Sequence, residues 1–159
     1  MAVNFSPSVN IIQDAKKDLS YIVTPNAEQV ALQITDAFKK GVHAFTLIGS
    51  YGTGKSSFLW ALQQTLQNKT HFFGQGFLTT GPVRIINFIG VHQSLIEHFA
   101  EQLEVKNSLK GNQKIFDALF QEYEKVRSKN GLLVIAIDEF GKFLEYAAKF
   151  DPDRELYFI

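Results

Sequence analysis

The residues best suited to chemistry lie in one run, Gly49-Ser50-Tyr51-Gly52-Thr53-Gly54-Lys55-Ser56. It has glycine, four free positions, then Gly-Lys-Ser. That spacing predicts a loop whose successive backbone N–H groups converge on an anion, because glycine reaches angles that other residues resist. A helix opening at Lys55 directs its positive dipole end at the same point. Lys55 is placed to reach the β- and γ-phosphates of a nucleotide, and the Ser56 hydroxyl to join the shell of a magnesium ion. Ser57 follows in the helix, where a surface position competes with a phosphate contact.

A second set of candidates is Asp138 and Glu139, which end the most apolar stretch of the chain, Leu132-Leu133-Val134-Ile135-Ala136-Ile137. In an open α/β sheet, ligands bind at the carboxyl ends of the strands. Asp138 there is expected to hold magnesium, and Glu139 to orient and deprotonate an attacking water. A solvated strand end is the alternative for the pair taken alone; the phosphate-binding run upstream favours the chemical reading.

Elements must position these groups. Asn26 is a candidate N-cap for a helix that Lys39-Lys40-Gly41 would end. Ala44–Ile48 reads as a short buried strand leading into the glycine run, followed by a helix over 55–67. Residues 68–82 read as loop, broken by glycines and Pro82. Val83–Ile89 is the second strand candidate. Helices are expected over about 93–104 and 112–128, then the strand 132–137, a helix after Gly141, and another opening at Asp151-Pro152. Phe116, Leu119, Phe120 and Tyr123 fall at helical spacing and read as core, Gln121–Lys129 as a wet face, and Phe72-Phe73 as either packed or exposed. Strands alternating with helices predict an α/β fold, a parallel sheet with helices on both faces. Residues 1–25 form a segment leading to the nucleotide pocket, and 26–159 the core. The apolar run Leu156–Ile159 suggests a helix face in need of a partner, and a sheet incomplete at its C-terminal end.

The totals set bounds. The 159 residues suffice for one domain, with 45% hydrophobic and 20% charged residues. Lys plus Arg equals Asp plus Glu, which speaks against a whole-domain electrostatic grip on nucleic acid or an anionic membrane. The absence of cysteine rules out disulfides and thiolate metal sites. His43, His71, His92 and His98 show no metal-binding spacing. No apolar run reaches the ~18 residues of a membrane span, and the first residues lack a signal-peptide pattern. A cytoplasmic location is expected.

The glycine run together with the apolar strand and Asp138-Glu139 resembles the ASCE division of P-loop NTPases. Within it the chain is similar to AAA-type and STAND-type ATPases, including large bacterial ATPases of anti-phage defence, the last on the look of Ile137-Asp138-Glu139-Phe140-Gly141-Lys142-Phe143. The resemblance spans roughly residues 20–150. It implies ATP with Mg²⁺, metal ligation by Ser56 and Asp138, phosphate contacts from Gly49 to Ser57, and catalytic roles for Glu139 and Lys55. It also implies that Tyr21–Pro25 lies near the adenine, and that the partners are a homo-oligomer or the remainder of a larger machine. The chain departs from the pattern in showing no sensor strand, no lid and no arginine in a finger context; Arg84, Arg127 and Arg154 read as surface charge. Three functions compete. One is an ATPase driving movement or assembly, a second is a nucleotide-gated binding module with little turnover, and a third, disfavoured by the few arginines, is a small-molecule kinase. ATP rather than GTP rests on the absence of an Asn-Lys-x-Asp guanine motif.

Overall fold

A computed structural model of the chain describes residues 8–74, 81–105, 112–150, 152–156 and 158. Its elements are α1 (Pro25–Lys39), α2 (Lys55–Leu66), β1 (Val83–Ile89), α3 (Leu95–Gln102), α4 (Gln113–Arg127), β2 (Leu132–Asp138), α5 (Gly141–Phe150) and α6 (Pro152–Leu156). β1 and β2 pair in parallel, with Val83 opposite Leu132 and Ile89 opposite Asp138. The protein is therefore α/β.

Alternation along the two strands feeds two cores. Val83, Ile89, Leu132, Val134 and Ala136 pack into one cluster with α1, α2 and the N-terminal segment, through Ala31, Phe58, Trp60, Ala61 and Ile11. Ile86, Phe88, Leu133 and Ile137 pack into the other, with Ile96, Phe99, Ile115 and Phe143 from α3, α4 and α5. Helices thus cover both faces, as parallel strands require.

Several expectations meet corrections. Ala44–Ile48 is not a buried strand: the stretch has no backbone hydrogen bond to any other described residue, Ile48 is 93% exposed and Phe45 41%. An apolar composition cannot make a strand without a neighbour to complete the ladder, and β1 and β2 pair with one another. Only Leu47 of the run leans on the α1/α2 core. Helix α1 starts one residue before Asn26. Thr24 is its cap, accepting the Ala27 N–H at 3.2 Å, and Pro25 takes the first position, where its missing N–H costs nothing. Phe116, Phe120 and Tyr123 are exposed, because the inward stripe of α4 runs through Ile115, Leu119 and Val126 instead. Phe158 is buried, its ring meeting those of Phe99 and Phe116. The open choice at Phe72-Phe73 resolves to packing, with Phe73 buried and both rings meeting Tyr21 edge-on. The loop read over 68–82 falls partly at 75–80, outside the described residues, as do Tyr157 and Ile159. No helix among the described residues is long and apolar enough to cross a membrane.

His98 supplies a pH handle. It sits between the Phe88 and Phe143 rings, Gln93 Nε2 lies 2.7 Å from its Nδ1, and its Nε2 is buried without a partner among the described residues. Burial lowers its pKa from 6.5, against a smaller opposing pull from Glu101. In the unfolded chain the imidazole takes up its proton at higher pH than in the fold, so stability falls as the pH drops through about 6.5 toward the lowered value. Denaturation midpoints at pH 7.5 and pH 5.5 should show a smaller acid loss in His98→Leu than in the parent. Equal losses in both would assign the titration to another group.

Candidate functional site

The glycine run folds as a loop in front of α2. Gly52 and Gly54 take φ of 78° and 81°, in the left-handed region where a side chain is strained, and Gly54 is the N-cap of α2. The cap carries no side-chain hydrogen bond, and no described acceptor receives the N–H of Gly52, Gly54, Lys55, Ser56 or Ser57. The loop thus presents free donors beside the positive end of a helix dipole. Lys55 folds back over it, Nζ donating to the carbonyls of Gly49 at 2.8 Å and Ser50 at 2.7 Å. Thr53 Oγ1 donates to the same Ser50 carbonyl at 2.8 Å. A Cβ on Gly49 would come 3.0 Å from Thr53 Oγ1, so the first glycine keeps the closing contact open. Tyr51 projects from the tip, 99% exposed. Ser56 and Ser57 are half-buried in the first turn of α2.

Helix α2 is held firmly behind the loop. Trp60 Nε1 donates to the Asp14 carbonyl at 2.9 Å and Gln64 Nε2 to the Ala15 carbonyl at 3.1 Å. Asn87, in the middle of β1, forms a reciprocal amide pair with Gln63 at 2.8 and 3.1 Å and donates to the Ile11 carbonyl at 2.9 Å. The segment 10–15 is therefore locked to the helix and the sheet. Beside this clamp lies a cavity of about 210 Å³ lined by Val9, Leu19, Ser20, Tyr21, Ile22, Ser57 and Trp60, with Ser57 joining it to the first turn of α2.

Asp138 and Glu139 stand at the carboxyl end of β2. The Asp138 Oδ1 accepts the Glu139 N–H at 3.0 Å, which leaves Oδ2 for another partner. Glu139 has φ of 53°, an uncommon conformation for a non-glycine residue, and its carbonyl accepts the Lys142 N–H at 3.0 Å as α5 begins. The residue that allows this turn is Gly90, directly after β1. Its N–H donates to the Asp138 carbonyl at 2.7 Å, and a Cβ on it would lie 2.0 Å from the Glu139 carbonyl oxygen. Backbone on both sides leaves no room for adjustment. Gly90→Ala should cost about 3 kcal/mol or more, read as a shifted urea midpoint; a loss within experimental error would mean the strand ends separate freely.

The Glu139 side chain forms an ion pair with Lys142. Lys142 has its pKa raised, first by the hydrogen bond to Glu139 and then by that carboxylate's charge, with smaller contributions from Glu145 and Tyr51. The arginines lie apart from this site in surface ion pairs, Arg84 with Glu122 and Arg127 with Glu124; Arg154 is exposed on α6. Sequence reasoning missed Gly90 and Asn87. A glycine closing one strand and an amide inside Ile85-Ile86-Asn87-Phe88-Ile89 were the available signals.

Ser56 and Asp138 carry hard oxygen donors of the kind that magnesium accepts together with waters and phosphate oxygens. Among the described residues no group of three or more His, Cys, Asp or Glu could hold a metal ion. Comparison with protein-family models, with curated proteins and with solved structures gives no match.

Proposed function

We propose that the chain belongs to the P-loop NTPases and binds Mg-ATP, with the phosphates in the loop Gly49–Ser56 and the base toward the cavity beside Tyr21. The observation that carries this reading is the loop itself. Two left-handed glycines, uncapped N–H groups, a lysine and a hydroxyl stand together at a helix N-terminus. Lys55 exchanges its two loop carbonyls for phosphate oxygens, a stronger, charge-assisted interaction. Ser56 and Asp138 hold the metal, which when bound supplies neutralising charge to the phosphates. Glu139 is the base. In hydrolysis the water oxygen bonds to the γ-phosphorus, its proton passes to the Glu139 carboxylate, and the bond from phosphorus to the β-phosphate oxygen breaks with its electron pair leaving on the diphosphate.

The work coupled to hydrolysis is a conformational or assembly change, either in a homo-oligomer or in a larger ATPase machine. A second reading, a nucleotide-gated module with little turnover, is favoured by the Glu139–Lys142 ion pair, which engages one oxygen of the base. The deciding experiment is calorimetric titration with a slowly hydrolysed ATP analogue, with and without magnesium. Magnesium-dependent binding is expected, and no heat at millimolar nucleotide would refute the assignment.

A further inference from the structure

We propose that one side of α5, with His92 from the loop after β1, is a platform on which an unpaired nucleic-acid strand stacks its bases. Three aromatic rings from two elements meet there. His92 stands edge-on to Tyr146 at 5.6 Å and to Phe150 at 5.9 Å, and the Tyr146 and Phe150 rings lie 4.7 Å apart at 34°. An edge-on contact covers at most one face of one ring of the pair, and Phe150 stays 64% exposed. Tyr146 and Phe150 belong to neither core cluster, so their assembly is not explained by packing of the interior. Lysines alternate with them along the helix. Lys142, Tyr146, Lys149 and Phe150 follow one another at three- and four-residue steps or side by side, which puts them on one side of α5, next to the inward stripe of Phe143 and Ala147. Lys149 is exposed and has no ion-pair partner among the described residues. Rings and ammonium groups in this arrangement fit one chemistry. Every base has a π-face that an aromatic side chain can stack, and the phosphates between bases supply the charge that lysine meets. An apolar protein surface would match the rings but not the lysines among them, since lysine is depleted at protein interfaces. A duplex keeps its base faces stacked inside, so the strand must be unpaired. The zero net charge of the chain speaks against a whole-domain grip, Glu139 already engages Lys142, and Glu145 lies one turn from both lysines. The rings therefore carry most of the affinity, and its salt dependence is shallow. This inference goes beyond the ATPase reading and does not rest on it.

The test is fluorescence anisotropy of a labelled thymidine strand of about 15 nucleotides, titrated with the whole chain at low salt and without nucleotide. Binding is expected with a dissociation constant of about 10–100 μM, in the range of sequence-independent contacts. Phe150→Ala should weaken it about ten-fold, the loss of one stacked base. Phe150→Trp, which restores a ring, should bind within about two-fold of the parent, a rescue that separates stacking from a general loss of structure. Lys149→Gln should weaken binding less and flatten its logarithmic salt slope by about 0.7, the share of one phosphate on a single strand. A uridine strand is measured beside the thymidine one; binding of either strand that is lost with the Phe150 ring supports the platform, because the ring meets a base face and not a sugar. No binding at low salt, a Phe150→Ala variant as tight as the parent, or a duplex that competes as well as the single strand overturns the inference. So does a parent chain that binds no strand yet self-associates in sedimentation through Phe150, which would make this face a protein interface. None of these outcomes touches Mg-ATP binding, so the ATPase reading stands or falls on its own titration.

Discussion

Mg-ATP at about a hundred times its dissociation constant should raise the melting temperature by roughly 5–10 °C, and Lys55→Ala should remove most of that rise. Ligand at that excess adds about 2.7 kcal/mol to the folded state, and for a domain of this size each kcal/mol moves the midpoint by about 2–4 °C. Lys55 is the one loop side chain with a full positive charge. In the absence of ligand its ammonium is satisfied by the Gly49 and Ser50 carbonyls, so the side chain is already folded over the place where phosphate would sit. Alanine removes the charge but not the loop, whose shape depends on the positive φ of Gly52 and Gly54. The variant should therefore melt close to the parent without nucleotide and differ from it with nucleotide. Differential scanning fluorimetry across a nucleotide series separates the two cases. If Lys55→Ala kept the full shift, the nucleotide would have to bind elsewhere.

Glu139→Gln should lower the hydrolysis rate by about 10²–10⁴, the range supplied by a positioned general base, while nucleotide binding persists. The amide has nearly the volume of the acid, so the turn held by Gly90 should survive. Glutamine cannot take the water's proton, and it also gives up the charge that Lys142 now faces. A drop in rate with unchanged affinity assigns Glu139 to the chemical step. Asp138→Asn makes the contrasting control: its defect should appear in magnesium-dependent binding, since Asp138 is the metal ligand in this reading. Normal single-turnover hydrolysis by Glu139→Gln would place the base on another residue.

Much of this site was legible in the chain because its parts are local. The proposed phosphate-binding loop is eight consecutive residues whose glycines are needed for backbone reasons, and Gly52 and Gly54 take positive φ. The helices behind and before it follow from periodicity, although the cap of α1 is Thr24 rather than Asn26. The parallel strands were marked by β-branched and apolar residues, continuous over Leu132–Ile137 and interrupted by Arg84 and Asn87 in Val83–Ile89, and the α/β class follows from their alternation with helices. Asp138 and Glu139 were evident as an acidic pair ending such a run. In each case the information sits within a few residues of the group it describes.

What the tertiary structure decided is everything that depends on a neighbour remote in sequence. Ala44–Ile48 has the composition of a buried strand, yet it lies exposed and unpaired, because a strand exists only where another backbone accepts its hydrogen bonds. Phe116, Phe120 and Tyr123 have helical spacing, but which side of α4 faces inward was set by the sheet, and it chose Ile115 and Leu119. The backbone at Glu139 is held by Gly90, forty-nine positions earlier, through the parallel register that sets Ile89 beside Asp138. The clamp on α2 likewise joins Trp60 to Asp14 and Asn87 to Gln63 and Ile11. No period or motif encodes such pairs, since they arise from how two cores on opposite faces of one small sheet bring distant segments together. The sequence by itself could name the groups able to do chemistry; only the fold could show that the turn carrying the candidate base packs against Gly90.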